Sequence, residues 1–193
     1  MELYRPSEEE VLREMRHVKR KSKRKRLAWG LLIWLTLASV SGWYVFNRFY
    51  TLAVVEGAGM NGTLLSGSVV LCRRTQGARP RVGDVILFEH GSGWQFKRVA
   101  AREGDSVAIS QNGRLWINGN ALSGFKTDFS GYDAQLAKKP ITVPKDSYFV
   151  LGDEYALSVD SRSSDYGFVK TEEILAVAEY TVWPLYRLGS LVQ

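Results

Sequence analysis

Few side chains in this 193-residue sequence are equipped to make or break a covalent bond. Cys72 is the only cysteine, and neither His17 nor His90 has a Cys or second His at ligand spacing. An intrachain disulfide is excluded, and neither a structural metal nor any other cofactor is expected. Cys72 lies in the run VVLC, where it reads as a small apolar residue of a buried strand. Lys97 is the group to weigh. It lies in QFKRVAA, where two-residue alternation puts it on one strand face with Gln95 and Val99. An ammonium with a pKa near about 10.4 has no lone pair to offer at neutral pH, so lysine becomes a general base only where burial lowers that value. On local sequence alone Lys97 reads as a solvated strand lysine, and the elements around it have to decide.

The net charge of +6 suggests nucleic acid until its distribution is examined. Residues 1–26 hold ten Lys/Arg and five Asp/Glu, leaving sixteen and fifteen for residues 27–193. The basicity belongs to the tail, and no basic patch remains elsewhere to neutralise phosphates, so no nucleic-acid partner is expected. From Leu27 to Phe46 twenty residues pass without a charge. As a helix they span about 30 Å, the thickness of a bilayer's hydrocarbon core. Directly before them KRKSKRKR, residues 19–26, carries seven basic residues in eight, while the ten residues after them carry only Arg48 and Glu56. The positive-inside bias therefore predicts a single-pass cell-membrane protein, N-terminus cytoplasmic and main domain extracytoplasmic, with Trp43, Tyr44 and Tyr50 in the outer interfacial belt. A cleaved signal peptide, for which LASVSG offers small residues, fits less well because the charged leader and the apolar stretch are both too long. In the first eighteen residues Ser7 stands three before Glu10, and Val11, Leu12, Met15 and Val18 follow at helical spacing, predicting a short cytosolic helix.

Beyond the span the texture turns to short apolar or alternating runs punctuated by Gly, Asn and Pro, which predicts antiparallel β structure. The expected strands are LAVV, SVVLCRR, DVILFEH, QFKRVAA, SVAISQ, RLWING, SYFVLG and EYTVW. Asn112-Gly113 marks the clearest hairpin, residues 123–139 read as a long loop or insertion, and KTEEILAVA, residues 170–178, reads as a short helix capped by Thr171. No internal repeat is visible.

Four blocks carry a resemblance: GAGMNGTLLSGSVVL at 57–71, RPRVGDVILF at 79–88, KRVAAREGD at 97–105 and GDEYALSVDSRSSDYGFV at 152–169. In this order, behind an anchor, they resemble the type I signal peptidases, membrane-bound serine peptidases that remove signal peptides outside the bacterial membrane. The resemblance runs over about residues 52–183. It implies a mainly β, signal-peptidase-like antiparallel domain behind one transmembrane helix, and serine-lysine dyad chemistry selecting Ala-x-Ala-like sequences.

The resemblance puts Lys97 at the general-base position and Ser158 at that of a serine orienting the lysine. Asp160 and Arg162 match a structural DSR core and should form a charge-assisted pair, with Asp153 a turn residue supporting the same loop. The departures weigh more. Family members carry serine immediately before the Met of the first block, where this chain has Gly59. Gly57 stands where many members have a serine contributing to the oxyanion hole, Gly62 replaces a proline, and Ser68 replaces an Asp. The nucleophile and one oxyanion donor are thus missing together, although backbone amides can still bind a carbonyl. Thr63, Ser66 and Ser68 are the nearest hydroxyls in sequence, but a shift of four or more residues would carry a nucleophile far from Lys97.

The expectation is a basic cytosolic segment at 1–26, a transmembrane helix at 27–46 and an extracytoplasmic β domain at 47–193. Its expected job is to bind exported preproteins or pilin-type precursors at the membrane lipid, as a pseudoenzyme that kept the cleft. The alternative is an active endopeptidase with a non-standard nucleophile. A LexA-like self-cleaving regulator shares the dyad logic, but the span and the absence of a DNA-binding segment argue against it. Trp183, Leu185 and Tyr186 either rest on lipid or form a buried strand end.

Overall fold

The computed structural model describes residues 8–91, 93–110, 114–122 and 139–191. They divide into two units, Met1–Asn47 and Arg48–Gln193. The first holds all but the last two residues of the helix α1, Glu8–Phe49, one continuous element. The helix runs from the region of the expected cytosolic helix into the apolar segment without interruption, because KRKSKRKR contains neither Gly nor Pro and Lys and Arg are good helix formers. Ser7, the expected cap, lies outside the described residues. Within α1, Lys23–Phe49 has a mean hydropathy of 1.4 and none of its most apolar window is buried. Leu31, Trp34 and Leu37 are all exposed, an arrangement water penalises and hydrocarbon does not.

In the second unit every strand pairing among the described residues is antiparallel. One sheet has the order β1-β2-β11-β3-β4-β9-β10, with β12 pairing β11 off that path. Its strands are β1 (Tyr50–Val54), β2 (Val69–Arg74), β3 (Val85–His90), β4 (Gly93–Arg102), β9 (Ser147–Leu151), β10 (Val169–Lys170), β11 (Ile174–Trp183) and β12 (Gly189–Ser190). A smaller sheet, β7-β6-β5-β8, comprises β5 (Ser106–Ile109), β6 (Leu115–Ile117), β7 (Asn120–Ala121) and β8 (Ile141–Thr142). The central strands bury both faces, which is why VILF of β3 and SYFVL of β9 read as apolar runs rather than alternations. Three clusters fill the core. One around Met60, Leu64 and Phe96 backs the first block, a second around Phe88, Val150 and Tyr166 backs the fourth, and a third around Phe149 and Leu115 seals the small sheet.

Each expected strand exists, with ends moved by a few residues. The expected helix at 170–178 does not. Thr171–Glu173 makes one 3-10 turn, capped by Lys170 rather than Thr171, whose hydroxyl donates to Asp146 O at 3.0 Å. Ile174 then opens the ten-residue strand β11 between β2 and β3. Two flanking strands satisfy its backbone, and that pairing outweighs the helical preference of Glu, Leu and Ala. The hairpin at Asn112-Gly113 and nearly all of the 123–139 insertion lie outside the described residues.

Candidate active site

Residues 55–68 leave β1 and return to β2 through a tight loop, with Val55 N–H donating to Ser68 O and Gly67 N–H to Val55 O, both at 2.8 Å. Met60 and Leu64 plug into the core, so the turn between them is fixed from below. Gly59 stands immediately before Met60 at the start of this turn, and its carbonyl accepts the Glu154 N–H at 3.0 Å, joining the first block to the fourth. Gly57 adopts a φ of +81°, a left-handed backbone that favours glycine. Gly59 does not, and a Cβ built there would lie 3.3 Å from Lys97 Nζ and 3.4 Å from Ser158 Oγ.

Lys97 comes from β4, paired opposite Ile86 of β3, and is 6% exposed. Its face also carries Gln95, which accepts the Tyr166 hydroxyl at 2.9 Å, and the Tyr166 ring lies 5.8 Å from Nζ. Lys97 Nζ donates to Ser158 Oγ at 2.6 Å. Burial pushes the Lys97 pKa below the ordinary lysine value, opposed by the Asp160 carboxylate and reinforced by the Arg162 guanidinium.

Ser158 is held from behind. Arg162 grips Asp160 with Nε at 2.7 Å from Oδ1 and Nη2 at 2.9 Å from Oδ2, and both residues are buried. The same Nη2 donates to Ser158 O at 3.1 Å and Tyr155 O at 3.0 Å, while Asp160 also accepts the Gly152 N–H at 2.9 Å. A buried carboxylate and a planar guanidinium therefore fix the loop through five hydrogen bonds rather than one contact. Gly152 is obligatory for a steric reason: a Cβ there would lie 2.1 Å from Ser158 Oγ and 2.4 Å from Gly59 O.

The structure thus brings Gly59, Lys97 and Ser158 together, with Asp160 and Arg162 one layer behind. Asp153 does more than shape a turn. It accepts Arg98 Nε at 2.8 Å and Nη2 at 2.6 Å, and also the Thr63 hydroxyl, tying the first, third and fourth blocks into one knot. Arg98, Gly152 and Tyr166 were not singled out from sequence. Adjacency to Lys97 was the available hint for Arg98, and nothing local signals the other two.

The other candidates stand aside. Thr63 is occupied by Arg98 and Asp153, Ser66 is exposed on the loop, and Ser68 is buried with no hydrogen-bond partner for its hydroxyl among the described residues. Cys72 is buried, and desolvation followed by the charge of Glu179 pushes its thiol up to about 12. His90 stacks on Tyr166 with ring centroids 4.0 Å apart. Among the described residues no group of three His, Cys, Asp or Glu side chains could hold a metal. Trp183, Leu185 and Tyr186 are all exposed, which removes the buried-strand-end alternative.

In front of Gly59 and Lys97 lies an open cleft of about 680 Å³, whose rim includes Gly57, Trp94, Leu157 and Val159. The three large apolar side chains are all more than half exposed. A site of this form, a buried amine beside a hydroxyl under an apolar-rimmed groove, can receive an extended peptide and polarise one of its bonds. What it lacks is a side-chain oxygen at residue 59.

Residues 26–183 match the protein family described as "Signal peptidase, peptidase S26". "Signal peptidase I P" of Bacillus subtilis subsp. natto is 31% identical over 182 residues, 87% of this chain and 94% of that protein. "Signal peptidase I" of Bacillus amyloliquefaciens is 26% identical over 198 residues, covering 94% and 97% respectively. Among solved structures, a signal peptidase I from Enterococcus faecalis V583 is 28% identical, covering 51% of this chain and 96% of that one with a TM-score of 0.41.

Proposed function

The chain belongs to the signal peptidase family S26, and from that premise we propose that it captures exported preproteins, secreted or pilin-type, without cleaving them at an appreciable rate. One observation carries the reading. The position that would bear a nucleophile has no side chain, while the base-type amine and the serine beside it stand 3.3 Å and 3.4 Å from where its Cβ would be. The surroundings of a seryl side chain are intact and the hydroxymethyl group is absent.

Binding remains feasible on this geometry. β1 is the edge of the large sheet and runs straight into the loop that carries Gly57, so an extended peptide can add to that edge with its side chains over the cleft. The glycines at 57 and 59 widen the groove. The basic run before the apolar helix supports an N-in anchor with the β unit outside the membrane, where exported chains emerge.

A second reading, cleavage with another hydroxyl, has its own observation: Ser158 Oγ is already hydrogen-bonded to Lys97 Nζ at 2.6 Å, the contact a serine-lysine dyad requires. The two readings separate in one experiment. The purified full chain in detergent is incubated with an Ala-x-Ala preprotein, beside Lys97→Ala, Ser158→Ala and Gly59→Ser. Capture without turnover by the unmodified chain, and cleavage only by Gly59→Ser, is the expected result. Turnover by the unmodified chain that disappears in Lys97→Ala and Ser158→Ala would overturn it in favour of the second.

A further inference from the structure

A second cleft, of about 770 Å³, opens where the chain leaves α1. Arg48 forms one wall, Arg74 and the turn through Gln76 a second, and the loop at Lys145 with Lys170 the rest. Backbone bonds hold this frame together. Gln76 Nε2 donates to Arg48 O at 2.5 Å, and Thr171 N–H and Oγ1 both donate to Asp146 O, at 2.9 and 3.0 Å.

Its charges do not balance. The two acids on the wall are already matched: Asp146 Oδ1 accepts Arg79 Nη2 at 2.8 Å, and Glu172 lies 3.6 Å from Lys170 Nζ. Arg48, Arg74 and Lys145 form no ion pair among the described residues. Among the described residues none of the three has a carboxylate within ion-pair distance, Lys145 feeling Glu103 only at longer range, so an anion seated among them would gain the attraction of all three.

Position identifies the anion. Arg48 belongs to the last turn of α1 and falls inside Lys23–Phe49, the segment long and apolar enough to cross a bilayer, and β1 begins at Tyr50. Trp43 and Tyr44, one turn earlier, are 70% and 72% exposed, as interfacial aromatics are. A cleft walled by the final turn of a span lies among lipid headgroups, where phosphodiesters are the concentrated anion.

We propose that this cleft binds the phosphate of an anionic glycerophospholipid, with Arg48, Arg74 and Lys145 as its donors. The proposal rests on α1 spanning the membrane, but not on the state of the peptidase site. Guanidinium forks suit phosphate oxygens.

The test uses the full chain, extracted from carbonate-washed membranes and delipidated, then mixed with phosphatidylglycerol or phosphatidylcholine and examined by native mass spectrometry. Phosphatidylglycerol adducts should be retained at least about tenfold better, and Arg74→Gln or Lys145→Gln should each lower that preference by about fivefold. Arg81→Gln with Lys139→Gln, exposed cations outside the cleft, should leave it unchanged. Lys145 is exposed on a loop, so its variant reports even if Arg74→Gln misfolds. Equal retention of the two lipids, or an equal loss in the control variant, would overturn the proposal. So would displacement by an equal concentration of glycerol 3-phosphate, which would make this a soluble-anion site. Release of the chain by the carbonate wash would remove the span, and the proposal with it; a membrane-held chain without lipid preference would condemn the cleft alone.

Discussion

Lys97 Nζ and Ser158 Oγ lie 2.6 Å apart although sixty-one residues separate them in sequence. β4 brings the amine and the loop after β9 brings the hydroxyl, and each is fixed by separate packing: Lys97 by burial in the sheet, Ser158 by the Arg162 hydrogen bond to its carbonyl. Neither placement depends on a side chain at residue 59. The pair can therefore persist beside Gly59, and the geometry of the site is separable from its nucleophile.

Gly59→Ser should convert capture into cleavage. The backbone there is not left-handed, and the added Cβ meets the tip of Lys97 and the Ser158 side chain at 3.3–3.5 Å, contacts a flexible lysine relieves by a few tenths of an ångström. A hydroxyl on that carbon falls within hydrogen-bond reach of Nζ. Turnover of an Ala-x-Ala preprotein, followed by gel densitometry, should rise at least about 10³-fold over the unmodified chain and vanish when Lys97→Ala is added. Gly57→Ser, at a φ of +81°, should give no such gain.

The same variant should show the protonation state of Lys97. Burial holds the Lys97 pKa below the ordinary lysine range, and only the neutral amine can take a proton. The kcat/KM of Gly59→Ser should therefore rise with pH along a limb whose midpoint lies below about 10.4. Stability follows with a definite sign. The unfolded chain keeps this proton up to about 10.4 while the folded chain releases it earlier, so stability grows as pH rises from the folded to the unfolded pKa and is lost as pH falls through that window. Urea unfolding of the unmodified chain between pH 7 and 10 should show this slope, and Lys97→Met should remove it. A difference between the two that is independent of pH would mean that Lys97 titrates like an ordinary lysine.

Asp160→Ala should cost about 3–5 kcal/mol by urea denaturation, because it strands the Arg162 guanidinium in a buried site and leaves the Gly152 N–H unpaired. Adding Arg162→Met should recover part of that loss by removing the stranded charge. If Asp160→Ala costs less than about 1 kcal/mol, the typical value for an exposed pair, the loop is not held by this contact.

The strands were legible because their cause is local. DVILFEH is an apolar run after a Gly-Asp turn, and QFKRVAA alternates, so each declares its environment within a few residues. KTEEILAVA misled because its strand character comes from β2 and β3 on either side, partners about a hundred residues away. Lys97, Ser158, Asp160 and Arg162 were readable only through resemblance to a family, since no short window shows that a strand lysine is buried or that a loop serine faces it. The Arg98–Asp153–Thr63 knot escaped for the same reason: it joins strand β4 to two loops, and its members look like surface residues one at a time. Gly152 reads as an ordinary turn glycine, and only the folded chain shows three atoms within 2.4 Å of its missing side chain.

That close approach gives a direct test of whether the Lys97–Ser158 contact matters to the chemistry. A Cβ at residue 152 would overlap Ser158 Oγ at 2.1 Å and Gly59 O at 2.4 Å, and the backbone cannot withdraw without giving up the Gly152 N–H bond to Asp160. Gly152→Ala must therefore push Ser158 away from Lys97, at an overpacking cost of about 1–3 kcal/mol. In the Gly59→Ser background it should lower kcat about 100-fold, the loss expected for displacement of about 1 Å at a reacting centre. KM should change little, because the groove rim at Trp94, Leu157 and Val159 lies in front of the displaced atoms. Steady-state kinetics on the double variant, with circular dichroism to establish folding, makes the comparison. An undiminished kcat in a folded Gly152→Ala, Gly59→Ser protein would show that the lysine needs no orienting hydroxyl.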